Sequence, residues 1–331
     1  MLAVMDPSVA RQKAARALHP ELRVYASVDD LFRREKLDFV DICTPPASHA
    51  ALALAALEQG CHVLCEKPLC LEPAAYGALA AAQRRSGKIV FTVHNWKYAP
   101  IFQKTFSLLR EGRIGPVWHA EIFTLRNSHC KGAAQGSSAA QGKSEDWRTD
   151  PSISGGGILV DHGWHSFYLL LNLISAEPES VLARMTPAQE EGRTDVLEES
   201  AQTLVHFAHA EGYVHLTWRS PLRRNAVIVQ GRDGALLLDD DRILLTVRGE
   251  KQQEIVFGAA LSAGSHHADW FQNLLPDFIE EIRHPSKGGE NFREAGACLA
   301  LMQASYASNR RGCRETPVVM PAARLGSAAL A

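Results

Sequence analysis

Two short segments of the chain carry residue types that together could move a hydride and a proton. Glu66-Lys67-Pro68 follows an apolar run, and Asp161 and His165 follow three consecutive glycines with a spacing of four residues. That spacing places Asp161 and His165 on one face of a helix. A histidine can take a hydroxyl proton near neutral pH, and a lysine can polarise the oxygen. The sequence therefore predicts Lys67, His165 and Asp161 as catalytic residues, with Asp161 holding the imidazole.

Strands and helices alternate in the first 96 residues. Apolar runs at 2–5, 23–25, 39–43, 62–65 and 89–93 are separated by helical segments. This alternation predicts a parallel, doubly wound sheet. Open sheets of this kind bind ligands at the carboxyl ends of their strands, and Lys67 follows one of those ends. By itself, an aspartate and a histidine four residues apart are more typical of an ordinary amphipathic helix, and the lysine segment favours the catalytic interpretation.

Polar residues at two other strand ends are candidate cofactor ligands. Asp6 ends the first strand, where a carboxylate accepts the ribose hydroxyls of adenosine and repels a 2′-phosphate. This position favours NAD over NADP. The turn that contains Thr44, Pro45 and His49 follows the third strand, and the threonine hydroxyl can meet a ribose or a phosphate. Asp6 is also a typical helix cap, and the turn is also typical of a plain strand-to-helix connection.

The remaining chain, residues 97–331, has a different pattern. Residues 155–174 form an apolar stretch that predicts one helix, and strand follows strand from about 180 to 257. The short turns between these strands predict an open, antiparallel sheet. Helices at about 268–284 and 291–310 follow, and residues 315–320 could form an edge strand. The predicted fold is α/β, with an N-terminally incomplete Rossmann-like parallel sheet domain at 1–96, whose first βα unit is missing, and an α/β domain with an open antiparallel sheet at 97–331.

Composition narrows the class of protein. The net charge is −2 and 46% of residues are hydrophobic, which gives no electrostatic case for nucleic acid or a membrane surface. No signal or membrane-spanning segment is visible, which favours the cytoplasm. Seven cysteines without a C-x-x-C pair favour free thiols. His162 and His165 have the spacing of a metal-binding pair, but no further ligand type completes a set, so we expect no metal.

These motifs in this order resemble the glucose–fructose oxidoreductase / inositol dehydrogenase family. The similarity runs through nearly the whole chain, and its most specific part is the Gly-Gly-Gly-x3-Asp-x-Gly-x-His run that ends at His165. The resemblance implies a sugar, cyclitol or related polyol as substrate and a homodimer or homotetramer built on the open sheet. It implies His165 as acid/base and Lys67 against nicotinamide and the substrate hydroxyl. It places the following residues around the cofactor or substrate: Glu66, Asn95, Trp147 and Arg148. His162 and His266 are additional candidates for substrate contact.

Two departures from that family pattern matter. Tyr168 stands where many members have an aspartate, which removes one expected substrate hydrogen bond. No glycine precedes Gly60, so the phosphate-binding loop is absent. We expect a strand, a glycine turn and a helix to be encoded upstream of Met1, and we expect the chain as written to bind NAD poorly and to aggregate. The alternatives are a non-catalytic sugar-binding or assembly subunit, and a relative that uses tightly held NAD for lyase or glycosidase chemistry.

Overall fold

A computed structural model of the protein describes residues 3–127, 147–187, 197–264, 267–285 and 289–321. Strands and helices alternate in the first half of the chain, as the sequence predicts. Prolines in the first turn and a left-handed Gly87 at the end of α4 set several helix boundaries. The elements of this half are β1 Ala3–Met5, α1 Val9–Leu18, β2 Arg23–Tyr25, α2 Val28–Arg34, β3 Phe39–Ile42, α3 Pro46–Glu58, β4 His62–Cys65, α4 Pro73–Ser86, β5 Val90–Thr92 and α5 Pro100–Arg110.

The parallel strands form two sheets instead of the single doubly wound sheet predicted. β1 pairs with β2, and β3, β4 and β5 pair in that order. Among the described strands, none hydrogen-bonds to both β1 and β3, and the sheet is therefore divided between them. Within the larger sheet the carboxyl ends of β3, β4 and β5 lie along one edge, because parallel strands point the same way.

The second half of the chain is built on one sheet of nine strands. Its order is β13-β12-β11-β10-β6-β9-β8-β7-β14. The prediction of an antiparallel sheet is wrong for one pair, because β6 runs parallel to β9 and the sheet is therefore mixed. The predicted edge strand is present as β14, which pairs with β7. The strands are β6 Val117–Leu125, β7 Pro178–Thr186, β8 Ser200–Phe207, β9 Ala210–Thr217, β10 Arg224–Gly231, β11 Gly234–Asp239, β12 Arg242–Val247, β13 Gln253–Val256 and β14 Thr316–Pro317.

The helix predicted over 155–174 is shorter and begins with an irregular turn. A short helix, α6 (Pro151–Ser154), ends at Gly155, and a π-helical turn covers Leu159–Gly163 before α7 (Trp164–Ile174). Backbone N–H groups that open the turn bind Glu198: that of Ile158 donates to its carbonyl at 2.9 Å and that of Leu159 to its carboxylate at 3.0 Å. Because these donors bind outside the helix, regular α geometry begins only at Trp164.

Helix α7 lies in the core, with Trp164, Phe167 and Tyr168 fully buried. It packs against β6 and against α9 (Glu290–Arg310), and α8 (Ala268–Arg283) packs on the segment after β5. The largest cluster of buried apolar side chains includes residues from both halves of the chain. In the described part of the chain, no helix combines the length and apolar character that crossing a membrane requires.

Candidate active site

Lys67 reaches from the end of β4 to the π-helical turn. Its Nζ donates to the backbone carbonyl of Asp161 and lies 3.3 Å from the carboxylate of the same residue. Both side chains are partly exposed, 16% for Lys67 and 26% for Asp161. The ammonium is therefore held in place and still open to a ligand. The two segments singled out in the sequence meet here, as the catalytic interpretation requires.

His165 lies beside this pair in a pocket of aromatic rings. Its imidazole stacks on the indole of Trp96 with ring centroids 5.0 Å apart, and its Nδ1 lies 2.7 Å from the Tyr168 hydroxyl. The Tyr168 oxygen also accepts the backbone N–H of Trp96 at 3.1 Å. Burial, followed by the nearby charge of Lys67, holds the pKa of His165 well below its ordinary value. The imidazole is therefore neutral at physiological pH and can accept a proton.

No hydrogen bond joins Asp161 to His165 among the described residues, and the group beside His165 Nδ1 is the Tyr168 hydroxyl. Asp161 makes its side-chain contacts with Lys67 and with its neighbour His162, whose Nε2 is 3.4 Å away. Asp161 lies in the π-helical turn and His165 in α7, which follows it directly. The orienting role of Asp161 stays a prediction.

The charge on Asp161 is stabilised by its surroundings. Burial opposes ionisation, but the positive charges of Lys67 and Arg148 help to hold the pKa of Asp161 below its usual range. Burial also lowers the pKa of His162 to about 3, so its imidazole is neutral. The local charges are therefore an aspartate anion and a lysine cation, beside two neutral imidazoles.

A second histidine, His94, is buried beside Tyr168 and Trp164. His94 is completely buried, its ring stacks on Tyr168 at 4.4 Å, and its Nε2 accepts the Trp164 indole N–H at 3.0 Å. Its Nδ1 donates to Glu294, which also binds Lys97 at 3.0 Å. These contacts fix the proton of His94 on Nδ1 and fix the tyrosine that touches His165.

The cofactor candidates line the strand ends. The buried Asn95 Oδ1 has no hydrogen-bond partner among the described residues, so an acceptor is available beside Trp96. Burial raises the pKa of Glu66, whose carboxylate accepts the Lys67 backbone N–H at 3.2 Å. Thr44 accepts a hydrogen bond from Ser48 at 2.7 Å. Asp6 accepts the Ser8 backbone N–H at 2.8 Å and lies 3.6 Å from the Arg11 guanidinium.

His49 does not present a free group to a cofactor, contrary to the prediction. It is completely buried, and its two ring nitrogens lie 2.7 Å from the carbonyl of Pro68 and 2.6 Å from that of Thr44. The side chain therefore ties the turn after β3 to the turn after β4, together with Pro45 at the start of α3. His49 positions Lys67 through the backbone, and the sequence pattern alone could not separate this role from direct binding.

The structure gives fewer contacts for the remaining predicted residues. Arg148 stacks over the Trp147 ring at 4.3 Å and contributes to the charge stabilisation of Asp161. His162 lies next to Asp161, with a buried Nδ1 that has no partner in the described chain. His266 lies outside the described residues. No group of three His, Cys, Asp or Glu side chains within the described ranges is arranged to hold a metal ion.

Two residues of this site, Trp96 and Arg126, were not identified from the sequence, and Tyr168 was noted there only as a departure from the family pattern. Trp96 and Tyr168 carry the ring contacts to His165, and Arg126 lies over Trp96 with its guanidinium carbon 5.9 Å from the ring centroid. Trp96 directly follows Asn95, so its position at a strand end was the available signal. Arg126 ends an apolar strand, where a buried cation is unusual.

Comparisons with known proteins concern the family and the fold. Residues 1–94 match a domain described as an oxidoreductase family with an NAD-binding Rossmann fold, and residues 102–237 match the GFO/IDH/MocA C-terminal domain. An uncharacterized oxidoreductase of Bacillus subtilis is 25% identical over 71% of this chain and 62% of its own length. The levoglucosan dehydrogenase of Pseudarthrobacter phenanthrenivorans is 25% identical over 71% of this chain and 67% of its own.

Solved structures show the same fold. An NAD-binding oxidoreductase from Klebsiella pneumoniae superposes with a TM-score of 0.78 at 20% identity, covering 96% of this chain and 90% of that one. The two matched domains come from one family and together cover more than half of the chain. The strand-end lysine and the glycine-preceded histidine lie within these matches, and the chain belongs to the GFO/IDH/MocA family of oxidoreductases.

Proposed function

We propose that this protein is an NAD-dependent oxidoreductase that acts on a secondary alcohol of a sugar, cyclitol or related polyol. The observation that carries the proposal is the contact of the Lys67 ammonium with Asp161, four residues before His165. The charge of Lys67 also acts on the neutral His165 imidazole. A cation that can polarise an oxygen is thereby brought near an imidazole that can exchange its proton. We further propose that residues 1–96 hold the dinucleotide and residues 97–331 hold the substrate.

The described residues fit the nicotinamide end of such a cofactor. Asn95 offers a buried acceptor without a partner, and Lys67 is anchored with its Nζ still partly exposed. When bound, NAD supplies the hydride acceptor at this edge. Lys67 would donate a hydrogen bond to the substrate hydroxyl, which favours its deprotonation.

His165 would take the hydroxyl proton on Nε2. In the tautomer that serves this step, Nδ1 carries the proton and donates it to the Tyr168 oxygen, which has two lone pairs for Trp96 and His165. Burial raises the pKa of Tyr168 far above its ordinary value, so the phenol stays neutral. Trp96 and the enclosed aromatic rings exclude water from one face of the imidazole.

Dinucleotide binding and polyol-dependent formation of NADH test this function. We expect calorimetry to detect NAD binding, which the sequence predicts to be weak, and at least one member of a panel of sugars and cyclitols to produce NADH. Dinucleotide binding without reduction would favour chemistry with retained NAD. Sugar binding without dinucleotide binding would favour a non-catalytic subunit.

Replacing Asp6 by Ser should shift cofactor preference from NAD towards NADP. The carboxylate repels a 2′-phosphate, and Arg11 beside it would then be free to bind one. The serine hydroxyl can still accept the Ser8 N–H, so the helix start is preserved. We expect the ratio of dissociation constants to shift by about 10-fold, the size of one charge-assisted hydrogen bond. Asp30→Ser removes a similar surface pair with Arg33 and is the matched control. Tighter binding of NADP than of NAD by the unaltered protein would contradict the assignment.

We also propose that the protein forms a homodimer or homotetramer through the outer face of its mixed sheet. The paired registers place one row of residues across seven strands on this face, and all but one are apolar. The row is Leu182, Leu204, Tyr213, Glu121, Ile228, Leu237 and Leu244. Leu182 and Leu237 are 39% and 37% exposed. Large apolar side chains that are exposed together on one face of a protein mark a contact surface.

Light scattering should show that Leu237→Glu converts the assembly to smaller species, because burying an unpaired charge in an apolar interface is costly. Val9→Glu, at an exposed position on α1 away from the sheet, is the control and should leave the mass unchanged. A monomeric mass for the unaltered protein would refute the proposed assembly.

A further inference from the structure

Arg126 is a buried cation without a carboxylate partner. It follows β6, is only 2% exposed, and forms no ion pair within the described chain. Its NH1 group donates to the carbonyls of Leu125 at 2.9 Å and Arg224 at 3.3 Å, and NH2 donates to Asn225 Oδ1 at 3.0 Å. A guanidinium has five N–H groups, so the Nε–H and one N–H of NH2 remain. Burying a charge in this way costs several kcal/mol unless an anion accompanies it.

Asn225, which contacts Arg126, also has a hydrogen-bond donor without a partner in the described chain. Asn225 is 2% exposed and its Nδ2 is buried without a partner, as is Nε of Arg126. The amide orientation is fixed because Oδ1 accepts from Arg126, which leaves Nδ2 as a donor. Two adjoining side chains therefore offer N–H groups with no acceptor among the described residues.

These donors belong to the candidate active site. The Arg126 guanidinium lies over Trp96, which also stacks on the His165 ring. The positive charge of Arg126 helps to lower the pKa of His162 and that of His165. The negative charge of Asp161 favours the charged form of Arg126. Burial and Arg223 lower the pKa of Arg126 to about 10, which leaves it charged at neutral pH.

Lys67, Arg126 and Arg223 act on His162 as positive charges, and Asp161 acts on it as a negative charge. Asp161 and Asp240 also act on Arg126, but no ion pair joins Arg126 to either carboxylate within the described chain. An anionic ligand group would supply the direct partner that Arg126 lacks there.

We propose that Arg126 and Asn225 bind a carboxylate carried by the substrate, so that the preferred substrate is a sugar acid. The proposal rests on the proposed function and names its substrate class. A planar guanidinium edge with an amide N–H beside it matches a carboxylate, which carries one charge and two oxygens. A phosphate monoester carries nearly two charges and three terminal oxygens, and one free guanidinium edge matches it less well.

Matched pairs of sugars test this preference in the unaltered protein. We would measure kcat/KM with NAD, and calorimetric binding, for D-galacturonate against D-galactose and for D-glucuronate against D-glucose. The corresponding 6-phosphates form a third arm. The acids should exceed their neutral partners by about 10- to 100-fold, the effect of charge-assisted hydrogen bonds. Equal values would overturn the proposal, and a preference for the phosphates would replace the carboxylate by another anion.

The variant Arg126→Gln assigns the preference to its residue. The acid-to-neutral ratio of kcat/KM should fall by about 10- to 100-fold, mainly through KM, and Arg126→Lys should restore part of it. Arg224→Gln is the control, because its side chain pairs with Asp239 on the exposed side, and its ratio should not change. A ratio that survives Arg126→Gln would overturn the assignment. The comparison in the unaltered protein decides the matter even if Arg126→Gln yields little folded protein. Turnover of neutral sugars without acid preference refutes only this inference, whereas no NADH with any sugar refutes the proposed function.

Discussion

His165→Ala should lower the turnover number by about 10²–10⁴-fold, the usual loss when a general acid/base is removed. The imidazole is the neutral group beside Lys67, and no other residue described at the site can take its place: His162 is engaged with Asp161. Dissociation constants for NAD should change little, because His165 faces the substrate side. Steady-state kinetics with any accepted polyol, combined with calorimetry for NAD, measure both quantities.

The pH profile gives this variant a second signature. The base must be neutral, so polyol oxidation is expected to be constant above the pKa of His165 and to fall as pH drops through it. Because burial lowers that pKa, the acid limb should lie below about 6.5, the ordinary value for histidine. The limb should disappear in His165→Ala. His284→Ala, on an exposed residue at the end of α8, is the control. Unchanged turnover in His165→Ala would remove this residue from the mechanism.

The substitution Gly157→Ala should both destabilise the protein and lower its turnover. A Cβ at this position would lie 2.1 Å from the Glu198 carbonyl oxygen and 2.8 Å from its nitrogen. Neither backbone atom can move without breaking the hydrogen bonds that open the π-helical turn. We expect a loss of about 3 kcal/mol in the free energy of unfolding, at the upper end for an overpacked site. The Lys67 contact with Asp161 should loosen as the turn shifts, and turnover should fall with it.

Gly77→Ala is the matched control for that change. Gly77 lies inside α4, and a Cβ there meets no atom within 4 Å. Its stability should stay the same or rise by about 0.5–1 kcal/mol, because alanine is the better helix former. Urea unfolding of both variants measures the difference. Equal stability of Gly157→Ala and the unaltered protein would show that Glu198 does not pack against this glycine as described.

The sequence was most informative where local signals decide structure. The strand at 62–65 and the helix at 268–284 were confirmed almost to the residue, because apolar runs and breakers are local features. The meeting of Lys67 with Asp161 was also predictable, since strand ends of a parallel sheet gather ligands.

Long-range contacts could not be predicted in the same way. The π-helical turn depends on Glu198, about 40 residues further along the chain, and no local pattern marks that partner. His49 has the composition of a ligand, but both of its nitrogens face backbone carbonyls that the sequence does not locate. Arg126 can be recognised as a site residue only from the structure, which shows no carboxylate paired with it in the described chain.

Isotope transfer tests the central claim most directly. A polyol carrying deuterium on its alcohol carbons would be incubated with NAD and the protein. The mass of the released dinucleotide would then be measured by mass spectrometry. The proposed function predicts one deuterium in each NADH formed, with the yield reduced in His165→Ala in proportion to turnover. Unlabelled dinucleotide recovered after product has formed, or no product with any polyol that binds, would contradict hydride transfer at the Lys67–His165 site.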